Sequence, residues 1–169
     1  KGSVMSDETR GEVARNAVGS FEKKQKFQRD LRAAAAKFLI KPKNGIAYLV
    51  SCGHLDNNPV DVAKMLLRYK ESLSKTQIGE YLGGEKEVNI NTMHAYVDQF
   101  SFKGMDLDEA LRYFLAGFRL PGEGQKIDRM MEKFASHFVE NNPGIFPSAD
   151  TAFTLSYAII MLNTDAHNP

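Results

Sequence analysis

Among the acidic residues of this chain, Glu123 has the most informative setting. It follows Phe118-Arg119-Leu120-Pro121-Gly122 and precedes Gly124-Gln125-Lys126-Ile127-Asp128-Arg129. Pro121 fixes its own φ and disfavours helix at Leu120. Gly122 allows a backbone angle that most residues avoid. A carboxylate on so short a corner, at the start of the next helix, has two possible uses. It can favour the positive end of that helix dipole. It can also project from rigid elements to touch a partner.

A second polar cluster, Asn163, Thr164, Asp165, His167 and Asn168, lies near the end of the sequence. Asp165 and His167 are metal-ligating types, but two spaced ligands without a third are a weak signal, and no metal site is expected. No serine, cysteine or histidine falls into a nucleophilic arrangement. No glycine-rich phosphate loop is present, so no nucleotide of the chain's own is expected. His54, His94 and His137 stand alone and read as structural. Covalent catalysis thus has no residues behind it.

The elements that position these residues read as helices throughout. Leu107, Leu111, Phe114, Leu115 and Phe118 recur at helical spacing before the corner, and Ile127, Met130, Met131, Phe134 and Phe138 after it, predicting helices over 106–118 and 123–139. Residues 9–39 are rich in Ala, Glu, Lys and Arg and predict a long helix, broken at Lys41-Pro42. A short helix follows near 43–51. Asn58 reads as an N-cap with Pro59 at the first helical position. Ser74 with Gln77 reads as a capping box, opening a helix that Gly83-Gly84 ends. Ile90, Met93, Val97 and Phe100 carry the next helix, and Asn141-Asn142-Pro143-Gly144 is a turn.

Ser148 is expected to cap a last helix over 149–163. Leu155, Ile159 and Leu162 lie on one side of it; Phe153, Tyr157, Met161 and Ile160 lie on nearly the opposite side. Such a helix is either buried between layers, or covers a core with one face and binds with the other.

At 169 residues the chain fits one domain with a sizeable core. Its 43% apolar and 25% charged content is ordinary for a globular protein, and a net charge of +1 gives no global field toward nucleic acid or a membrane. Lys23, Lys24, Lys26, Arg29 and Arg32 outnumber Glu22 and Asp30 locally. This reads as a solvated helix face, with an acidic-lipid contact as the lesser alternative. The one cysteine, Cys52, excludes an internal disulfide and a multi-cysteine zinc site. No signal peptide, membrane span or glycosylation sequon is visible, which suggests a cytosolic chain. The fold class is therefore all-α.

Phe-Arg-Leu-Pro-Gly-Glu-Gly-Gln-Lys-Ile-Asp-Arg-Met-Met-Glu-Lys-Phe-Ala at 118–135 and Ser-Tyr-Ala-Ile-Ile-Met-Leu-Asn-Thr-Asp-Ala-His-Asn-Pro at 156–169 resemble the two signature motifs of the Sec-seven domain. That domain is the catalytic unit of guanine-nucleotide exchange factors for Arf-family small GTPases, and the large brefeldin-inhibited Golgi type is the most similar. The resemblance extends through 41–49, 73–83 and 93–100. It covers residues 22–169, leaving 1–21 as an N-terminal extension, expected to be helical or partly ordered.

The resemblance implies an elongated right-handed stack of about ten helices. The family domain normally continues with further helices past the position of Pro169, so the domain is expected to be cut short here or to lack them. Glu123 matches the family's glutamic finger, held by Arg119, Leu120, Pro121 and Gly122 and flanked by Gln125, Lys126 and Asp128. The family receives GTPase switch regions in a hydrophobic groove lined by the last helix and the one before it. Mapped by motif, Phe153, Tyr157, Ala158 and Met161 line it, and Asn163, Thr164, Asp165, His167 and Asn168 extend the contact. GDP, GTP and Mg²⁺ then belong to the partner GTPase. Brefeldin A is a further ligand of that interface; sensitive members carry Tyr-Ser where this chain has Tyr157-Ala158. Membrane contact is indirect, at Golgi or endosomal membranes. The alternative is a helical scaffold that binds a GTPase or another protein without catalysing exchange.

Overall fold

A computed structural model describes residues 4–167, with side chains to Asn163 in the last helix. The described residues form eight helices and no strand: α1 (Asp7–Ile40), α2 (Pro42–Ser51), α3 (Pro59–Arg68), α4 (Lys75–Leu82), α5 (Glu87–Asp98), α6 (Leu107–Leu115), α7 (Gly124–Asn141) and α8 (Ala149–His167). The all-α expectation holds.

The helix starts follow their local chemistry. The Asn58 side chain accepts from the Asp61 amide at 2.9 Å, with Pro59 opening α3. Ser74 accepts from the Gln77 amide at 3.3 Å, and Ser148 from the Thr151 amide at 3.4 Å. The Gln77 side chain does not close a capping box. Its amide donates instead to the carbonyl of Leu39 at 3.0 Å, fastening α4 to the end of α1. The reciprocal box falls at Asp106 and Glu109, opening α6.

α1 runs 34 residues without a break, so the helix crosses residues 21 and 22 continuously. Only its C-terminal part docks. Phe27 rests against His54 and Tyr69, with ring centroids 5.1 and 5.3 Å away, and Leu31, Ala34 and Phe38 are buried. His54 also meets Asp30 at 2.7 Å, tying the turn after α2 to α1.

The core is aromatic. Tyr96, Phe100, Phe102, Phe114, Phe118, Phe134 and Phe138 pack together between α5, α6 and α7. Phe114 stacks on Phe134 at 5.4 Å and meets Phe118 edge to face at 5.2 Å. Such pairs add roughly 0.5–1.5 kcal/mol each beyond their area burial. The loop before α6 is stapled to the end of α7: Asn141 accepts from the Phe102 amide at 2.7 Å, and Asn142 from the Gly104 amide at 2.9 Å. The core thereby fixes the directions of α6 and α7, and the corner between them.

α8 docks on α7 in a way the apolar pattern did not show. Its fully buried residues are the small ones, Ala152 and Ser156. The Ser156 hydroxyl is satisfied by the Ala152 carbonyl at 2.6 Å. On the Leu155–Ile159–Leu162 side, Leu155 is 43% exposed and Leu162 is 70% exposed. The two apolar faces are thus flanks on either side of a small-residue seam, because small side chains let the two backbones approach closely. α8 continues past the expected end at 163, to His167.

Candidate functional site

The chain turns from α6 to α7 over residues 116–123, and α4 is the platform beneath the turn. The Arg119 amide donates to the carbonyl of Lys75 at 3.1 Å. The Arg119 carbonyl lies where a Cβ on Gly79 would stand. Pro121 is buried, and its ring faces the Cα of Gly83. From α7, Arg129 donates to the Gly83 carbonyl at 2.9 Å, and Lys126 reaches Glu80 at 3.4 Å. These five contacts with α4 and its cap residue brace the corner.

Glu123 sits at the end of this corner as the N-cap of α7, with φ −97° and ψ 126°. Its carbonyl starts the helix, accepting from the amides of Lys126 and Ile127 at 3.1 and 3.2 Å. Its side chain makes no capping hydrogen bond and is 69% exposed. The carboxylate meets only Lys126, at 3.5 Å, among the described residues. Desolvation pulls the Lys126 ammonium down, but its contacts with Glu80 and then Glu123 outweigh this and leave its pKa above the ordinary value.

Gly122 departs from the sequence expectation. Its φ is not positive, and a Cβ there would meet nothing within 4 Å. The backbone of the free chain therefore does not require glycine at 122.

Two hollows flank the corner. One, of about 1100 Å³, opens between α6, α8 and the corner, with Leu111, Leu115, Leu120, Ile159 and Ile160 as its apolar walls and Arg119 and Asn163 at its polar edge. The other, of about 900 Å³, lies on the opposite side between α2, α4 and α5, where Glu80, Glu123 and Lys126 form one wall.

The sequence expectations meet this geometry unevenly. Arg119, Leu120 and Asn163 come together around the first hollow, while Gln125 and Asp128 are exposed on the first turns of α7. Phe153 and Tyr157 are half-buried, with ring centroids 5.8 Å apart. They share the flank of Ile160, three and seven residues on. Ala158 and Met161 stand exposed on the outer side of α8. The described lining of the hollow comes from α6, α8 and the corner, with none from α7. The side chains of Thr164, Asp165 and His167, and all of Asn168, lie outside the described residues. Glu80 and Gly79 were missed, although they lie within the 73–83 segment that carried the resemblance.

The described residues thus form a helical stack whose acidic corner stands beside an apolar hollow. The sequence profile of the Sec7 domain matches residues 27–169, and the chain belongs to that family. It is 49% identical over 150 residues to "Brefeldin A-inhibited guanine nucleotide-exchange protein 3" of Arabidopsis thaliana, covering 89% of this chain and 8% of that protein. Its fold resembles the "Sec7p catalytic domain" crystal structure, with TM-score 0.78, 53% identity and 80% and 75% of the two chains covered. It also resembles the Sec7 domain in the "Structure of ARF1-GDP bound to Sec7 domain complexed with Brefeldin A", with TM-score 0.79, 36% identity and 87% and 74% coverage. The chain thus spans less than a tenth of that plant relative's length.

Proposed function

We propose that this chain is a guanine-nucleotide exchange unit that accelerates GDP release from an Arf-family small GTPase. The observation that carries the reading is Glu123: a carboxylate 69% exposed, used neither as a helix cap nor in the core, at the end of a corner held rigid by α4. A relative of similar fold is named as a Sec7 domain bound to ARF1-GDP, which supports the choice of partner.

In this reading Glu123 enters the GTPase nucleotide site. There its charge opposes the phosphate of GDP and competes for the phosphate-binding lysine. Two like charges about 4 Å apart at an effective dielectric of about 20 repel by about 4 kcal/mol. Fully realised, that weakens nucleotide binding roughly a thousandfold. Screening reduces it. The apolar hollow, together with Phe153 and Tyr157 farther back along α8, takes the switch regions and supplies the binding energy that holds the repulsive contact in place. Arg119, Leu120 and Pro121 aim the finger, and Gly122 leaves room for the approaching partner. Thr164, Asp165, His167 and Asn168 extend the contact beyond Asn163. GDP, GTP and Mg²⁺ stay with the GTPase, and no bond is made to the exchange unit. The nucleotide-free complex then takes up GTP by mass action. Action in the cytosol at Golgi or endosomal membranes, and capture by brefeldin A of the GDP-bound complex, follow from the same reading.

Release of fluorescent GDP from an Arf protein, with and without this chain, tests the function. Acceleration supports exchange. Stable binding without acceleration would instead establish a scaffold.

A further inference from the structure

One ammonium serves two carboxylates beside the corner. Lys126 lies on the first turn of α7, three residues after Glu123, and its side chain is 15% exposed. Its Nζ stands 3.4 Å from Glu80 on α4 and 3.5 Å from Glu123. The two acids differ in setting. Glu80 is 45% exposed and belongs to a helix fastened to α1 through Gln77 and to the corner through Arg119. Glu123 is 69% exposed and hangs at the end of that corner.

An acid three residues before a lysine forms a local pair readily in a helix. Left alone, Lys126 would fold onto Glu123 and cancel the charge on which the proposed mechanism depends. Glu80 competes for the same ammonium from a fixed position. The trio carries one net negative charge, and the acid free to leave is the more exposed one.

We propose that Glu80 is a positioning residue for the Glu123 finger: it holds the Lys126 ammonium against α4, so that the Glu123 carboxylate enters the partner uncompensated. This rests on the exchange reading above. It adds a residue 43 positions away in sequence, on α4 rather than on the corner.

The test is a kinetic cycle on the whole chain. Saturated GDP-release rates from an Arf protein are measured for the unaltered chain, Glu80→Gln, Lys126→Gln and the double variant. Glu80→Gln is expected to lower the saturated rate about two- to fivefold, the range of an exposed ion pair. KM and melting temperature should stay unchanged. In the Lys126→Gln background, the same substitution should change the rate less than twofold. Salt provides a second readout. The competing Lys126–Glu123 pair is open to solvent on its Glu123 side, 69% exposed, so the Glu80→Gln deficit, taken as a ratio to the unaltered chain, should shrink as ionic strength rises toward about 0.5 M. If Lys126→Gln proves inactive by itself, the salt series decides. A merely structural role for Glu80 would give a deficit independent of both Lys126 and salt, and that result overturns the proposal, as does an unaltered rate for Glu80→Gln. An unaltered chain that releases no GDP sinks the exchange reading instead.

Discussion

The carbonyl of Arg119 occupies the space a Cβ on Gly79 would need, so α4 and the corner meet backbone to backbone. The contact is sealed by the Arg119 amide donating to Lys75 at 3.1 Å. Gly79→Ala must push the corner off α4. Overpacking of this kind costs about 1–3 kcal/mol, roughly 2–4 °C in Tm per kcal/mol for a domain of this size. Exchange should fall further than stability, because the displaced element carries Glu123. Gly122→Ala is the contrast. Nothing in the free chain crowds position 122, so its Tm should match the unaltered chain while GTPase binding weakens. Equal melting of all three proteins would refute the role given to Gly79.

Tyr96 carries a buried hydroxyl with no hydrogen-bond partner among the described residues, and burial pushes its phenol well above the ordinary pKa. The hydroxyl sits against Gly117, at the start of the corner. A buried polar group left unpaired costs about 1–3 kcal/mol. Tyr96→Phe keeps the ring contacts with Phe100, Phe114 and Phe118 and removes that cost. Thermal melting should show an unchanged or higher Tm. A clear drop would mean that the hydroxyl is satisfied in solution.

The small-residue seam of α8 gives an ordering of variants. Ala152→Leu should destabilise by about 1–3 kcal/mol, since residues 152 and 156 are fully buried on a helix that docks chiefly on α7. Leu155→Ala and Met161→Ala, at 43% and 48% exposed positions, should change stability by no more than about 0.5 kcal/mol. Tyr157→Ala should weaken GTPase binding by about 2 kcal/mol if it is an interface anchor. Denaturant melts and a binding titration separate these effects. A Leu155→Ala variant that loses as much stability as Ala152→Leu would instead place Leu155 in the core.

Local chemistry was legible in the sequence where it acts within one turn. The Asn58–Pro59 and Ser74 starts, the break before Pro42 and the two helices around the corner all stand where their residues place them. Contacts made across space were not. Glu80 and Lys126 are 46 residues apart, and nothing near either one announces the other. Gln77 looked like half of a capping box, but its amide is spent on Leu39. The seam of α8 was misread because Ala152 and Ser156 interrupt the apolar pattern, although they are the contact. The finger was recognisable as an acidic corner. What makes the corner stiff is Gly79, whose importance lies in what it leaves empty.

Ala158 is exposed on α8, beside the half-buried Tyr157. The family resemblance implies serine at this position in brefeldin-sensitive members. A hydroxyl on this surface adds one hydrogen bond, worth about 1 kcal/mol net, or several-fold in affinity. Ala158→Ser should therefore inhibit at a several-fold lower brefeldin A concentration than the unaltered chain, titrated against the same Arf–GDP. Equal and strong inhibition of both would show that position 158 does not set the response.

The charge on Glu123 is the centre of the account, and one comparison isolates it. Saturated GDP-release rates are measured for the unaltered chain, Glu123→Asp and Glu123→Lys, with helicity and Tm recorded alongside. The side chain is 69% exposed and caps nothing, so all three should fold alike. Glu123→Asp should keep a fraction of the rate, having the charge with one methylene less of reach. Glu123→Lys should lose nearly all of it while still binding GDP-loaded Arf, since attraction to phosphate replaces repulsion. A lysine variant that folds normally and releases GDP as fast as the unaltered chain would contradict the finger mechanism outright.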